Sequence, residues 1–319
     1  MTGQRPFRFT AAIGGTPGLR EITETARKAE SLGFDGLVIA DHLVAEHAPV
    51  PLLTAVAAVT ERLRVGSFVF NVDLRHPAVL AQELASLDVI SGGRVDVGIG
   101  AGWNKPEYDA VGIAYDPVGV RVSRLREAIE VLRGCFGDGP FSFAGEHYTI
   151  TDYDAYPKPV QRPHPPLFVG GGGKRVLTLA GEVADVVGIA PRLRIVDGAA
   201  IVDPRSLTLA AAEEKVEWVR AAAGDRFDTL RLNAYPSGAP LTVTDDRLAV
   251  ARERAERITA RTGTAISAEE LLDSPHVYLG TVAQLTEKIL HLREHLGITS
   301  FMLGTIDECA PVVQALAGR

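Results

Sequence analysis

Four stretches of the 319-residue chain hold residue types that could do chemistry. Asp41-His42 sets a carboxylate beside an imidazole, whose neutral and charged forms are both accessible near pH 7, as a proton relay requires. The plainer alternative is a turn-capping aspartate followed by a loop histidine. Gly66-Ser67-Phe68 and Asn71 place small and polar groups at the end of an apolar run. Gly98, Gly100 and Gly102 alternate through "RVDVGIGAGW" up to Trp103. They do not form the dinucleotide-binding fingerprint, which needs a third glycine where Trp103 stands. Gly170, Gly171, Gly172 and Gly173 precede Lys174 and Arg175. Uncovered N–H groups at a helix start, beside two cations, suit an anion such as a phosphate. A tight turn alone needs only one or two glycines. His76-Pro77 reads as a helix start, with proline in the first turn. Cys135 reads as a core or near-surface thiol.

The elements that position these residues alternate. "FRFTAAI", "GLVIAD", "RVGSFVFN", "RVDVGIGAG", "PPLFVGGGG", "DVVGIA", "TLRLNAY" and "TSFMLG" read as eight strands rich in Val, Ile, Leu and Phe. Amphipathic helices separate them, several with proline near the start and glycine past the end. Eight such units predict a (β/α)8 barrel, an α/β fold of one domain over 1–319, rather than an open doubly wound sheet. The ranges 137–165, 191–207 and 236–275 read as inserts on the C-terminal side of the strands, roofing a pocket. In such barrels the active site sits at the C-terminal strand ends. Asp41-His42, Ser67 to Asn71, Gly100 to Trp103 and the four glycines all fall there. Gly98 and Gly100 should face inward, leaving room for a flat ring against the strand.

Composition bounds the partners. Apolar residues make up 46% of the chain, enough for a large core, and the net charge of −7 disfavours nucleic acid and anionic membranes. Two cysteines cannot build a disulfide framework. No secretion signal is read at the start and no apolar run is long enough to span a membrane, so a cytoplasmic protein is expected. No metal site is read.

"GLVIADHL", "VGSFVFNVDLRHPAVLAQELASLDVISGGRVDVGIGAGW", "PPLFVGGGG" and "HVYLGTVAQLTEKILHLREHLGITSFML" resemble, in order and over most of the chain, the bacterial luciferase-like superfamily. The nearest branch uses the deazaflavin coenzyme F420. The resemblance implies a homodimeric (β/α)8 barrel with an isoalloxazine-type ring at the strand C-termini. It implies His42 near the reacting carbon of the ring and Asp41 orienting the loop or a polar ring edge. It implies a cis Ser67-Phe68 peptide behind the ring, ring contacts from Asn71 and from Gly100, Ala101, Gly102 and Trp103, and cofactor phosphate on Gly170 to Gly173. Relatives acting on glucose 6-phosphate carry a catalytic glutamate directly after the glycine that matches Gly102. Trp103 stands there instead, against that substrate. The leading reading is an F420-dependent oxidoreductase acting on a small molecule. The alternatives are an FMNH2-dependent monooxygenase served by a separate flavin reductase, and a non-catalytic flavin-binding protein.

Overall fold

The computed structural model describes residues 5–196, 199–237 and 239–316. The expected inserts at 191–207 and 236–275 contain 197–198 and 238, which lie outside the described residues, as do 1–4 and 317–319. Eight core strands follow the expected order: β1 Arg8–Ala12, β2 Gly36–Ile39, β3 Arg64–Ser67, β4 Val95–Gly100, β5 Leu167–Gly171, β6 Val186–Ile189, β7 Arg231–Ala234 and β8 Ile298–Met302. The helices are α1 Leu19–Ser31, α2 Pro49–Ala58, α3 Pro77–Ser91, α4 Lys105–Val111, α5 Val118–Phe136, α6 Lys174–Val183, α7 Leu209–Ala223, α8 Arg247–Thr262, α9 Ala268–Asp273, α10 Val282–Leu296 and α11 Ile306–Leu316.

The chain divides into two compact units. The first spans 13–30 and 36–169, the second 1–12, 31–35 and 170–319. In the first unit β2 pairs in parallel with β3, and β3 with β4 through Val65↔Val95 and Gly66↔Asp96. β4 pairs with β5 through Val97↔Leu167 and Ile99↔Val169. Val95, Val97 and Ile99 are wholly buried, and Leu80 and Leu84 of α3 and Leu125 and Ile129 of α5 are equally enclosed. In the second unit β1 pairs with β8, β8 with β7 and β7 with β6, all parallel. Its core includes Val187, Leu232, Ile298 and Phe301, with Ile289 of α10. β2 is apolar and buried at all four positions, as a parallel strand covered on both faces is, whereas burial alternates along β1.

Local signals set the ends. The His76 ring accepts the Ala78 N–H and so caps α3, as the His76-Pro77 reading expects, and α3 stops at Gly92 with φ +67°. Thr281 and Gln284 close a capping box on α10. The inserts carry their own small elements: antiparallel hairpins at Phe141–Ala144 with Thr149–Tyr153 and at Leu193–Val196 with Ala199–Val202, and the helices α8 and α9. Cys135 and Cys309 are free and buried.

Two features differ from expectation. "RVGSFVFN" is not one strand: it breaks between β3 and a short extension, Phe70–Asn71, paired with Ile99 and Gly100. The break holds a non-prolyl cis peptide, and it is Phe68-Val69, one bond beyond the expected Ser67-Phe68. Helix α4, not read from the sequence, follows β4 directly. Its signals were present: Asn104 at the start, Pro106 in the first turn, and Gly112 with φ +73° past the end.

Candidate active site

In the first unit β2 delivers Asp41 and His42 to its C-terminal end, and α4 delivers Glu107. His42 Nδ1 lies 2.7 Å from Glu107 Oε1; the imidazole is a quarter exposed while the carboxylate is nearly enclosed. The other carboxylate oxygen accepts the Leu43 N–H at 2.9 Å, and Asn104 Nδ2 donates to Oε1. A carboxylate only accepts, so the proton on this side of the ring resides on Nδ1. That leaves Nε2 as the nitrogen able to take or give a proton. Glu107 was missed in the sequence because it lies on the unread helix, five residues after Gly102.

Asp41 does different work from its neighbour. It is 4% exposed, and its two oxygens accept from both terminal nitrogens of Arg75 at 2.9 Å each. The same carboxylate accepts the Asn71 N–H at 3.0 Å. Its charge is thus spent inside the protein, locking the loop after β3. Ser67 is likewise turned inward, with Oγ donating to the Ile39 carbonyl at 2.9 Å. Asn71 Nδ2 meets the Tyr108 hydroxyl at 3.0 Å, and that hydroxyl donates to Asp73 at 2.9 Å. Burial, assisted by Asp73, pushes the Tyr108 phenol well above its ordinary pKa, so it remains a donor. Phe68 packs on Phe168, ring centroids 4.9 Å apart.

The glycines of β4 make room for the protein itself. A Cβ on Gly98 would fall 2.0 Å from the Ser67 carbonyl oxygen, and one on Gly100 would fall 2.7 Å from Val69 Cγ2. The segment around the cis peptide therefore occupies the space expected for a flat ring, and a ring can meet this strand only across Ser67 to Val69. Gly102, at φ +68°, is enforced by the Tyr108 hydroxyl, 1.9 Å from where its Cβ would stand. Arg121 ties down the turn by donating to the Ala101 and Gly102 carbonyls. Trp103 is 46% exposed and stands edge-on to His42, centroids 5.4 Å apart.

Gly170 to Gly173 belong to the second unit, where β5 runs into α6. They do not play one common part. A Cβ on Gly171 would meet Val176, and one on Gly172 would fall 2.4 Å from the Pro191 carbonyl oxygen. Gly173 faces open space and is the N-cap of α6, with no side chain capping the first turn. The uncapped N–H groups, with Lys174 and Arg175 exposed beside them, fit a phosphate. Among the described residues no group of three or more His, Cys, Asp or Glu is placed to hold a metal, and no helix is long and apolar enough to cross a membrane.

A sequence model of the luciferase-like monooxygenase family matches residues 5–287. An FMNH2-dependent dimethylsulfone monooxygenase of Pseudomonas putida is 36% identical over 140 residues, 44% of this chain and 38% of that protein. An F420-dependent glucose-6-phosphate dehydrogenase of Amycolatopsis mediterranei is 33% identical over 176 residues, 53% of this chain and 52% of that one. The chain thus spans about half or less of these relatives' length. Among solved structures, the F420-dependent tetrahydromethanopterin reductase of Methanopyrus kandleri superposes with a TM-score of 0.75 at 21% identity, covering 98% of both chains.

Proposed function

The chain belongs to the luciferase-like monooxygenase family of (β/α)8 barrel enzymes, and from that premise we propose that it is an F420-dependent oxidoreductase acting on a small organic molecule. The observation that carries this reading is the His42–Glu107 pair at the end of β2. F420, when bound, supplies or accepts the hydride. Hydride chemistry on an organic substrate also needs a proton moved, and His42 Nε2 is the atom on this chain equipped to hold it, with Glu107 fixing the ring. Trp103 offers an apolar wall beside the imidazole. The N-terminus of α6 holds the cofactor phosphate through its backbone N–H groups. Asp41 positions the loop that carries Asn71.

Relatives named F420-dependent support the choice of cofactor. The relative named FMNH2-dependent supports a second reading, a monooxygenase fed by a flavin reductase. On the first reading the enzyme works as a cytoplasmic homodimer, with 1–319 as one catalytic domain. The test is titration of the purified protein with F420 and with FMN, each oxidised and reduced, followed by oxygen uptake. The expected result is tight F420 binding without oxygen consumption. Tight FMN binding with oxygen uptake from the reduced form would replace this reading by the second.

A further inference from the structure

We propose that the His42–Glu107 site takes an uncharged molecule with an apolar body and a single oxygen function, a hydroxyl or a carbonyl, and that Trp103 and Leu43 select it. The inference rests on the reading of His42 as the proton-handling group and adds the class of substrate to it.

The surface beside His42 is apolar where it faces water. Trp103, edge-on to the imidazole, is nearly half exposed. Leu43 and Val44, which follow His42 directly, are each slightly more than half exposed. So is Val111, one turn of α4 beyond Glu107. Backbone hydrogen bonds hold the two residues nearest the imidazole in place. The Leu43 N–H is fixed on Glu107 at 2.9 Å, the same carboxylate that holds the His42 ring. The Trp103 carbonyl accepts the Tyr115 hydroxyl at 3.1 Å, and Arg121 fixes the two carbonyls before it. The scaffold thus presents apolar side chains around an imidazole, a pattern that marks a ligand groove rather than a solvated rim.

The charges turn away an anionic substrate. The Glu107 carboxylate stands 2.7 Å behind the ring. Arg75 is spent on Asp41, and Lys105 on Asp109. Arg121 is buried, with its guanidinium on backbone carbonyls and over the Tyr115 ring. A phosphate or carboxylate at His42 would meet Glu107 with these cations already engaged.

One oxygen function suits the imidazole in both of its protonation states. Glu107 keeps a proton on Nδ1, so Nε2 accepts from a hydroxyl when the ring is neutral and donates to a carbonyl oxygen when it is charged.

The test is NMR titration of the full chain, alone and with saturating F420. The probes are methyl ketones of four, six and eight carbons, hexanoate and hexyl phosphate. Ketone affinity should rise about two- to fourfold per added methylene, fourfold corresponding to complete burial. Both anions should bind more weakly than the six-carbon ketone. Trp103→Ala and Leu43→Ala should each weaken the eight-carbon ketone about threefold or more and flatten the series. Ile90→Ala, similarly exposed but on α3, should leave it unchanged. The proposal is overturned by any of four results: no dependence on chain length, tighter binding of either anion, an unchanged series in both Trp103→Ala and Leu43→Ala, or loss of ketone binding when F420 is added, which would give the apolar wall to the cofactor. If F420 itself does not bind, the proposed cofactor falls, while titration of the protein alone still decides the apolar site.

Discussion

Glu107 holds His42 by a 2.7 Å contact between Oε1 and Nδ1, across 65 residues of sequence. The two side chains form a unit, so their loss should not add. His42→Ala is expected to lower kcat by about 10²- to 10⁴-fold, the usual range for a general acid–base group. Glu107→Ala should cost less, and the double variant should be no slower than His42→Ala alone. Stopped-flow hydride transfer on the three proteins measures this. Additive losses would mean the residues act separately.

Asp41 lies next to His42 in sequence and should behave differently. Asp41→Ala leaves the Arg75 guanidinium without its two acceptors and the Asn71 N–H without one. Breaking a mostly buried pair from one side costs about 3 kcal/mol. Because Arg75 is partly exposed, the low end of that range applies. Denaturant unfolding should show this loss, with cofactor affinity and rate falling together. A variant with the wild-type midpoint would return Asp41 to a surface role.

Gly100 is small because Val69 fills the space over it. Gly100→Ala should destabilise by about 1–3 kcal/mol through overpacking. Adding Val69→Ala removes Cγ2, the atom 2.7 Å from the new Cβ, and should restore most of the loss. Gly98→Ala meets the Ser67 carbonyl and should not be rescued this way. Thermal unfolding of the double variant decides it: no recovery means that the clash with Val69 is not the cause.

Gly173 and Gly172 should separate phosphate binding from folding. Aspartate at Gly173 meets open space at φ −101° and is a favoured N-cap, so α6 should persist while its carboxylate occupies the anion position. Cofactor affinity should fall sharply at unchanged Tm. Gly172→Asp should lose stability instead, because any Cβ there runs into the Pro191 carbonyl. Unchanged affinity in folded Gly173→Asp would remove the phosphate from α6.

His276 should make the protein acid-sensitive. It is wholly buried, its Nε2 has no hydrogen-bond partner among the described residues, and Nδ1 sits 3.3 Å from the Tyr235 carbonyl. Burial first, then the positive charges of Lys215 and Lys288, depress its pKa to about 3 from an ordinary 6.5. The unfolded chain therefore binds a proton that the folded one refuses between those values. Stability should fall as pH drops through that window, by at most about 1.4 kcal/mol per pH unit. His276→Gln should show a shallower slope over pH 6.5 to 3. Parallel slopes for the two proteins would show that His276 titrates alike in both states.

Sequence by itself determined the eight β/α units and their order, because buried parallel strands and amphipathic helices leave periodic apolar signatures within a few residues. It also placed Asp41, His42, Trp103 and the α6 glycines at strand ends, since those positions follow from where each apolar run stops. The tertiary structure decided what each of them touches. That Asp41 belongs to Arg75, 34 residues on, and His42 to Glu107, 65 residues on, depends on which elements lie side by side, and no local pattern encodes it. The same holds for the glycines. A missing Cβ shows in sequence that something comes close, but only the packed chain reveals whether it is a bound molecule, as Gly173 permits, or the protein's own backbone, as at Gly98 and Gly172.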